Sequence, residues 1–170
     1  ILENIDEDEQ AGTYMRAVEK AEACGFMQYE ISNFCVPGFE SKHNSAYWKG
    51  APYLGLGPSA HSFDGQKRSW NVSDIQKYIA GINDQKPVFE SETLSETDRY
   101  NEFLLTRLRI TCGIQLAEMT QLFGESITEK FIDEVKQSNI AHYVQITEKS
   151  LTLTRSGLLF ADRIISELMK

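Results

Sequence analysis

The chain has 170 residues, of which 41% are hydrophobic and 25% charged, a composition that fits a globular protein and excludes a disordered or fibrous one. Its net charge is −8, so its surface would repel phosphate backbones, and a nucleic-acid partner is not expected. No apolar run approaches the roughly 18 residues that cross a bilayer, and the acidic first ten residues are unlike a signal peptide, so we expect no transmembrane segment and a cytoplasmic location.

The first third of the chain predicts a helix followed by a strand. Ala11, Tyr14 and Val18 recur at helical spacing, and Gly25 suits the left-handed residue just past a helix end. The stretch 28–34 is rich in aromatic and β-branched residues and predicts one strand. A single helix-to-strand step of a parallel fold cannot close a sheet, so its neighbouring strands should lie upstream. We therefore expect this chain to be the carboxy-terminal part of a longer protein.

The middle of the chain is irregular over 36–62 and rich in glycine and aromatic residues. A hairpin is predicted over 63–71, where an Asp-Gly dipeptide suits a type I′ turn. Ser73 is then expected to cap a short helix, and the polar stretch after Pro87 is expected to be a linker. That helix carries four apolar residues on one side: Ile75, Tyr78, Ile79 and Ile82.

From Ser95 the pattern becomes helical. Ser95 and Asp98 resemble a capping box with Asp in place of the usual Glu. Three helices are expected, the second ending at Gly124, followed by β segments over 142–147 and 151–154 and a final helix from Ser156. Their predicted apolar faces comprise Tyr100, Phe103, Leu104 and Leu108; Leu116, Met119 and Leu122; Phe131, Ile132 and Val135; and Leu159, Phe160, Ile164 and Leu168. This order is typical of a winged-helix-like domain and makes the whole chain α+β.

A winged-helix-like domain raises the alternative of DNA binding. Recognition helices carry clustered Arg and Lys, but here the bases of the third helix are interspersed with acids. The residues concerned are Lys130 and Lys136 against Glu129, Asp133 and Glu134. A packing or lid module is the favoured interpretation.

The stretch from His43 to Trp48 carries the clearest chemical signal. If it is helical, His43 and Tyr47 share one face, with Trp48 beside them. An imidazole can ligate haem iron, and flanking rings can pack on a porphyrin. The alternative is a surface histidine beside aromatic residues that close one end of a fold. Both readings remain open on the pattern alone.

A second candidate is the glycine-rich stretch 53–62, in which a short strand leads into a turn whose amides could approach a ligand. It lacks the features of a P-loop and of a dinucleotide fingerprint. His61 at its end is either a ligand contact or a structural histidine. Lys67 and Arg68 nearby could bind carboxylates or simply be solvated.

Five segments together resemble one known family: YEISNF, PGFESKHNSAYW, YLGLGPSAHS, LRITCGI and LTLTRSGLLFADRII. In this order they resemble the oxygen-independent coproporphyrinogen III oxidases, which are radical-SAM proteins. The resemblance implies an incomplete (β/α) barrel that binds a [4Fe-4S] cluster and S-adenosylmethionine, and then a small carboxy-terminal domain. It places the end of the barrel at 1–62, a connecting hairpin and helix at 63–90, and the carboxy-terminal domain at 91–170.

The family's cluster motif, C-x-x-x-C-x-x-C, does not occur in this chain. Its three cysteines, Cys24, Cys35 and Cys112, are far apart and are expected to be free thiols. The resemblance therefore implies that the cluster and S-adenosylmethionine belong to the longer parent. This chain alone is expected to be inactive, and whether the parent is an enzyme is left open.

The family has two branches, oxidases and haem chaperones, and the HN-x-x-YW element is similar to that of the chaperones. The resemblance implies that His43 contacts haem and is a candidate ligand of its iron, and that Asn44, Tyr47 and Trp48 complete the haem site. It also implies a cofactor-facing loop, which comprises Gly55, Gly57, Ala60 and His61. The partners expected are haem or a porphyrin and a haem-accepting protein, with a homodimer left open. The alternatives are an oxidase and a non-catalytic lid or interaction module.

Overall fold

The computed structural model describes residues 7–170, with side chains from residue 9 onward, and the first six residues of the expected barrel segment lie outside it. Within this range the chain forms eight α-helices and eight short strands. All strand pairs between these elements are antiparallel and make three small sheets, so residues 7–170 form no closed barrel. The fold is α+β, as the sequence predicts.

The first helix, α1, spans Glu7–Ala23, and Gly25 follows it with φ of +85°, the left-handed conformation that glycine adopts without steric cost. The single strand predicted over 28–34 is wrong, because β1 (Met27–Glu30) and β2 (Asn33–Cys35) form an antiparallel hairpin. The carboxylate of Glu30 accepts a hydrogen bond from the backbone N–H of Ser32 at 2.9 Å. This bond stabilises the tight turn, which the strand-like composition concealed.

The middle of the chain holds helix α2 (Lys42–Trp48) and a three-stranded sheet. The predicted hairpin is present, as β3 (His61–Phe63) and β4 (Lys67–Asn71). Its turn is not type I′, because φ is positive at Gly65 alone and not at the residue after it, which is the type II′ pattern. The predicted linker is also wrong, since β5 (Phe89–Thr93) pairs with β4 along its whole length.

Helix α3 spans Ile75–Asn83 and is capped by Asp74, not by Ser73 as predicted. The Asp74 carboxylate accepts the backbone N–H groups of Gln76 and Lys77 at 2.9 and 3.0 Å, whereas a serine one residue earlier could not reach both. The isoleucines expected on one side of α3 are each about half exposed in this structure.

The carboxy-terminal part has the predicted winged-helix-like order, with one additional strand. Its sheet has the strand order β6-β8-β7, and a 3₁₀ turn, Ala141–Tyr143, replaces the start of the first predicted β segment. The elements are α4 (Glu96–Leu108), β6 (Ile114–Gln115), α5 (Leu116–Phe123), α6 (Glu125–Gln137), β7 (Val144–Ile146), β8 (Ser150–Leu153), α7 (Arg155–Leu158) and α8 (Ala161–Leu168).

The last predicted helix is divided in two. Helix α7 is capped by Thr154, whose hydroxyl accepts the backbone N–H of Gly157 at 3.0 Å, so Ser156 is not the start. Phe160 then leaves the helical region, with φ of −113° and ψ of 20°, and α8 begins after it. The capping box of Ser95 and Asp98 at the start of α4 is confirmed.

The main core lies in the carboxy-terminal part, between residues 100 and 168. Leu104, Met119 and Leu151 are fully buried there, and burial of each such side chain stabilises the fold by roughly 1.5–3 kcal/mol. The predicted face of α5 is partly wrong, because Leu122 is 57% exposed. The predicted face of the last helix is also partly wrong, because Phe160 is 41% exposed. The remaining predicted faces supply most of the core.

The segment just after α4 joins the β1–β2 hairpin to the carboxy-terminal part. The backbone N–H of Ile31 donates to Arg109 O at 3.0 Å, and that of Thr111 donates to Tyr29 O at 3.2 Å. The buried carboxylate of Glu30 lies 3.6 Å from Arg109 Nε. These bonds hold the hairpin against the end of α4, close to the place where α2 packs.

Candidate functional site

Helix α2 carries the residues expected to contact haem. The Ser41 hydroxyl caps it by accepting the backbone N–H of Asn44 at 3.3 Å. Its last turns are closed by hydrogen bonds from Lys49 N to Ser45 O at 3.1 Å and from Gly50 N to Tyr47 O at 2.9 Å. The helical spacing that the sequence required for these side chains is therefore present.

His43 and Tyr47 lie one helical turn apart, and both side chains are exposed. None of the described residues hydrogen-bonds to the His43 imidazole, so both ring nitrogens are available. Tyr47 has its ring centroid 5.0 Å from that of Trp48 and 5.7 Å from that of Tyr53. The exposed imidazole thus lies one turn from the middle of a row of aromatic rings.

Trp48 differs from its two neighbours because its ring is partly covered. The guanidinium of Arg109 lies 5.7 Å from the Trp48 ring centroid, a cation–π contact. Asn44 is also engaged, since its amide donates to Asn33 Oδ1 at 3.4 Å and weakly to Tyr29 Oη at 3.5 Å. Of the four residues, these two anchor α2, while His43 and Tyr47 remain open to solvent.

The glycine-rich loop is held from several sides. A Cβ at Gly55 would lie 2.1 Å from His61 O, so only glycine fits this approach of two backbone segments. The backbone N–H of Gly55 donates to Ser62 Oγ at 2.9 Å, and that of Gly57 donates to Tyr78 Oη at 3.2 Å. These two amides, which were expected to face a ligand, are already used by protein partners.

Asn71 and His61 lie next to this loop. Asn71 donates through its amide to Gly57 O at 2.9 Å, and its backbone N–H donates to Ala60 O at 2.9 Å. His61 is exposed on β3, opposite Trp70 in register, with the two ring centroids 6.4 Å apart. In the described chain, no hydrogen bond or ring contact joins His43 to His61.

Of the two basic residues of the β3–β4 hairpin, Lys67 and Arg68, the second has a structural role. Arg68 forms an ion pair with Glu102 of α4 and lies 3.9 Å from Glu92. The hairpin therefore packs on α4, and the Arg68 guanidinium is not free to bind a ligand carboxylate. Lys67 stays exposed at the start of β4.

A cavity of about 510 Å³ opens between this hairpin and helices α4 and α5. Aromatic rings of Phe63, Phe103 and Phe123 line it, and Lys49 and Gly50, which follow α2, lie at its edge. Burial raises the pKa of Tyr100 in its wall to about 12, and the nearby Glu134 carboxylate adds to this. None of the residues expected to contact haem lines this cavity.

The cysteines do not gather into a metal site. Cys24 and Cys112 are exposed and Cys35 is buried, and no bond joins them. Within residues 7–170, no three His, Cys, Asp or Glu side chains come together in a way that could hold a metal ion. These residues do not fit a [4Fe-4S] ligand set. None of the described helices is long and apolar enough to span a bilayer.

The sequence prediction missed two arginines that contact α2. Arg107 lies in the last turn of α4, and Arg109 directly follows that helix. Arg107 falls on the buried face of α4, one turn after Phe103 and Leu104. A charged residue in the apolar register of a helix is a signal for a buried ion pair, and it could have been noticed. Which element it would contact could not be read from the sequence.

Comparison with known proteins gives a consistent result. Residues 94–160 match the family model described as the HemN C-terminal domain. The chain is 30% identical over 159 residues to the "Heme chaperone HemW" of Bacillus subtilis, which covers 93% of this chain and 42% of that protein. It is 33% identical over 167 residues to the "Heme chaperone HemW" of Mycobacterium tuberculosis, which covers 96% of this chain and 40% of that protein.

A solved structure agrees in fold. Coproporphyrinogen III oxidase (HemN) from Escherichia coli, described as a radical SAM enzyme, superposes with a TM-score of 0.74 at 16% identity. The match covers 98% of this chain and 42% of that one. By these matches the chain belongs with the HemN C-terminal domain and with the relatives named as heme chaperones. Among these proteins it corresponds to the carboxy-terminal part, and it spans about two fifths of the length of these relatives.

Proposed function

We propose that the chain is the carboxy-terminal portion of a radical-SAM haem chaperone, a protein that binds haem and passes it to acceptor proteins. The relatives named as heme chaperones support this assignment, since they match over nearly the whole chain. In this proposal the [4Fe-4S] cluster and S-adenosylmethionine belong to the remainder of the parent protein, which works in the cytoplasm. Haem is the cargo and is bound at α2.

The observation that carries the proposal is the state of His43. A histidine ligates iron through an unprotonated ring nitrogen with a free lone pair, and the His43 imidazole is exposed and spends neither nitrogen on the described residues. The exposed Tyr47 ring one turn along offers an apolar face that can pack on a porphyrin. The site thus supplies a nitrogen and an aromatic surface on one side of a capped helix.

The glycine-rich loop has a supporting role in this proposal. Gly55, Gly57 and Ala60 hold the loop in a fixed shape through their backbone hydrogen bonds, rather than by offering amides to a ligand. His61 extends from the strand that this loop packs against, and it is the second imidazole available for cargo or cofactor. We place the loop on the rim that faces the missing part of the parent.

The test is a titration with haemin followed by visible absorption, on this chain and on the longer parent. We expect saturable one-to-one binding with a shifted Soret band, and a His43→Ala variant should bind at least roughly tenfold more weakly. His142→Ala is the matched control, because His142 is also exposed but lies in the carboxy-terminal part, away from α2. Its ring centroid is 3.9 Å from that of Tyr143. Equal affinity of the wild-type and His43→Ala proteins, in both chain and parent, would overturn the proposal.

A second candidate function is oxidation of coproporphyrinogen III by the parent. The family model and the solved structure that match this chain both carry the name HemN, and the structure is that of an oxidase. Turnover of coproporphyrinogen III by the purified parent, unaffected by His43→Ala, would favour the oxidase. Haem transfer to an acceptor without such turnover would favour the chaperone.

A further inference from the structure

Arg107 is a charged residue buried to 6% exposure on the inner face of α4. A guanidinium cannot lose its proton in a protein, so burying it costs free energy unless each of its N–H groups finds an acceptor. Its surroundings therefore indicate what the residue does.

All five N–H donors of Arg107 have acceptors. The Nε and Nη2 atoms donate to the two carboxylate oxygens of Glu118 at 3.2 and 2.6 Å, the bidentate geometry that arginine favours. The second Nη2 hydrogen goes to Lys49 O at 3.0 Å. The Nη1 atom donates to Trp48 O and to Thr106 Oγ1.

Two of these acceptors are the backbone carbonyls of Trp48 and Lys49 at the end of α2. The last carbonyls of a helix have no partner within it and carry its partial negative charge, so a cation there stabilises the helix. A helix of seven residues is marginal without such outside support. Ser41 supplies that support at one end of α2, and Arg107 supplies it at the other.

We propose that Arg107, held by Glu118, is a positioning residue that fixes the orientation of α2 and thereby of His43. The inference rests on the proposed function in one respect, that His43 is the haem contact. Glu118 belongs to α5 and Arg107 to α4, so the carboxy-terminal part sets the geometry of a site that lies outside it.

Lysine cannot replace arginine in this role. It has three donors on a single nitrogen, so it cannot bridge a carboxylate bidentately and also reach two carbonyls. An Arg107→Lys variant keeps the charge and the aliphatic stem, and it removes the fork. Arg99→Lys is the matched control, because Arg99 lies on the exposed side of the same helix.

The first measurement is hydrogen exchange of the amides of Lys49, Gly50 and Ala51, which close α2. Loss of a charge-assisted hydrogen bond should speed their exchange at least roughly tenfold in Arg107→Lys. Amides of α4 to α6 should keep their protection, which shows that the fold is intact. If these α2 amides exchange at the same rate in Arg107→Lys and in the wild type, Arg107 does not stabilise the end of α2 and the inference is wrong.

The second measurement is haemin titration of the same variants. Arg107→Lys and Glu118→Gln should bind roughly tenfold more weakly and shift the Soret band, while Arg99→Lys should match the wild type. If His43→Ala weakens binding but Arg107→Lys changes neither affinity nor spectrum, the positioning role is wrong and the proposed function stands. If His43→Ala has no effect on haemin binding, the proposed function and the role of Arg107 in haem binding both fail. The hydrogen-exchange measurement then tests only whether Arg107 stabilises the end of α2.

Discussion

Arg107 and Arg109 contact α2 in different ways. Arg107 donates to backbone carbonyls, whereas the Arg109 guanidinium lies 5.7 Å from the Trp48 ring centroid and also pairs with Asp162 at 2.6 Å. Only arginine combines planar stacking with several fixed donors. Arg109 thus joins three parts of the fold: the β1–β2 hairpin through Glu30, α2 through Trp48, and α8 through Asp162.

Cys35 gives a prediction at a single residue. Burial raises the pKa of its thiol, and the nearby Glu40 carboxylate raises it further, so the thiol stays protonated at neutral pH. Because the thiolate is the reactive form, we expect Cys35 to react with a thiol reagent at least roughly tenfold more slowly than Cys24 and Cys112. Labelling kinetics at pH 8, resolved by peptide mapping, measure this.

Cys35→Ala is the control for this assignment, since it should remove the slow phase and leave the fast one. Three thiols that react in one fast phase would contradict the expected burial.

The sequence predicted the residues of α2 but not the contacts that hold it. Spacing alone places His43 and Tyr47 on one face once the segment is helical, and Ser41 is a local signal for that helix. The hold by Arg107 spans 59 residues of sequence and depends on how α4 packs. No local pattern encodes such a contact.

At the scale of elements, the features that a local sequence signal encodes agree with the prediction, and the features that depend on pairing between distant residues do not. The ends of α1 and α4 follow from local signals, Gly25 and the capping box of Ser95 and Asp98. The residues of strand β5 predict a linker because most of them are polar, and in the structure its side chains are exposed. The strand is ordered by its pairing with β4, whose residues lie 18 to 26 positions earlier in the chain, from Asn71↔Phe89 to Lys67↔Thr93. Local sequence does not show a pairing of that range.

The capping box predicts a pH dependence. Hydrogen bonds from the Ser95 hydroxyl and backbone N–H lower the pKa of the Asp98 carboxyl, so folding favours the carboxylate. That stabilisation is fully present above the unfolded-state pKa of about 3.9, and it is lost as pH falls through the lower folded-state value. Asp98→Asn should therefore lower Tm at pH 7, with a difference from wild type that shrinks below about pH 4.

Asp133→Asn is the matched control, because Asp133 is an exposed aspartate in the middle of α6. Its Tm should stay close to that of the wild type at both pH values. A difference for Asp98→Asn that is the same at pH 3 and pH 7 would show that the carboxylate charge is not the cause.

At the scale of the whole molecule, exposed apolar side chains are unevenly distributed. The buried core lies between residues 100 and 168, whereas the most exposed large apolar residues lie earlier in the chain. Leu56, Phe39 and Leu54 are 82%, 79% and 77% exposed. The hydrogen bond from Gly57 N to Tyr78 Oη joins the loop that bears the two leucines to α3 with its exposed isoleucines. Exposed large apolar residues are thus more numerous before residue 90 than after it in the described chain.

This distribution predicts binding of a hydrophobic dye. Ile79→Lys should reduce the fluorescence of an apolar dye such as ANS without changing Tm, because Ile79 is 48% exposed and contributes little to the core. Gln76→Lys adds the same charge on the same helix and should leave the fluorescence unchanged. Equal signals from the two variants would place the dye elsewhere on the molecule.

The distance along the chain between α2 and Arg107 also sets the order in which they are made. Synthesis runs from the amino end, so Trp48 leaves the ribosome 59 residues before the residue that holds it. At roughly 5–20 residues per second, that delay is on the order of 3–12 seconds. Until then, a nascent chain has helix α2 capped at one end only, by Ser41. The second hold on α2 is thus made only after the carboxy-terminal part has been synthesised and has folded.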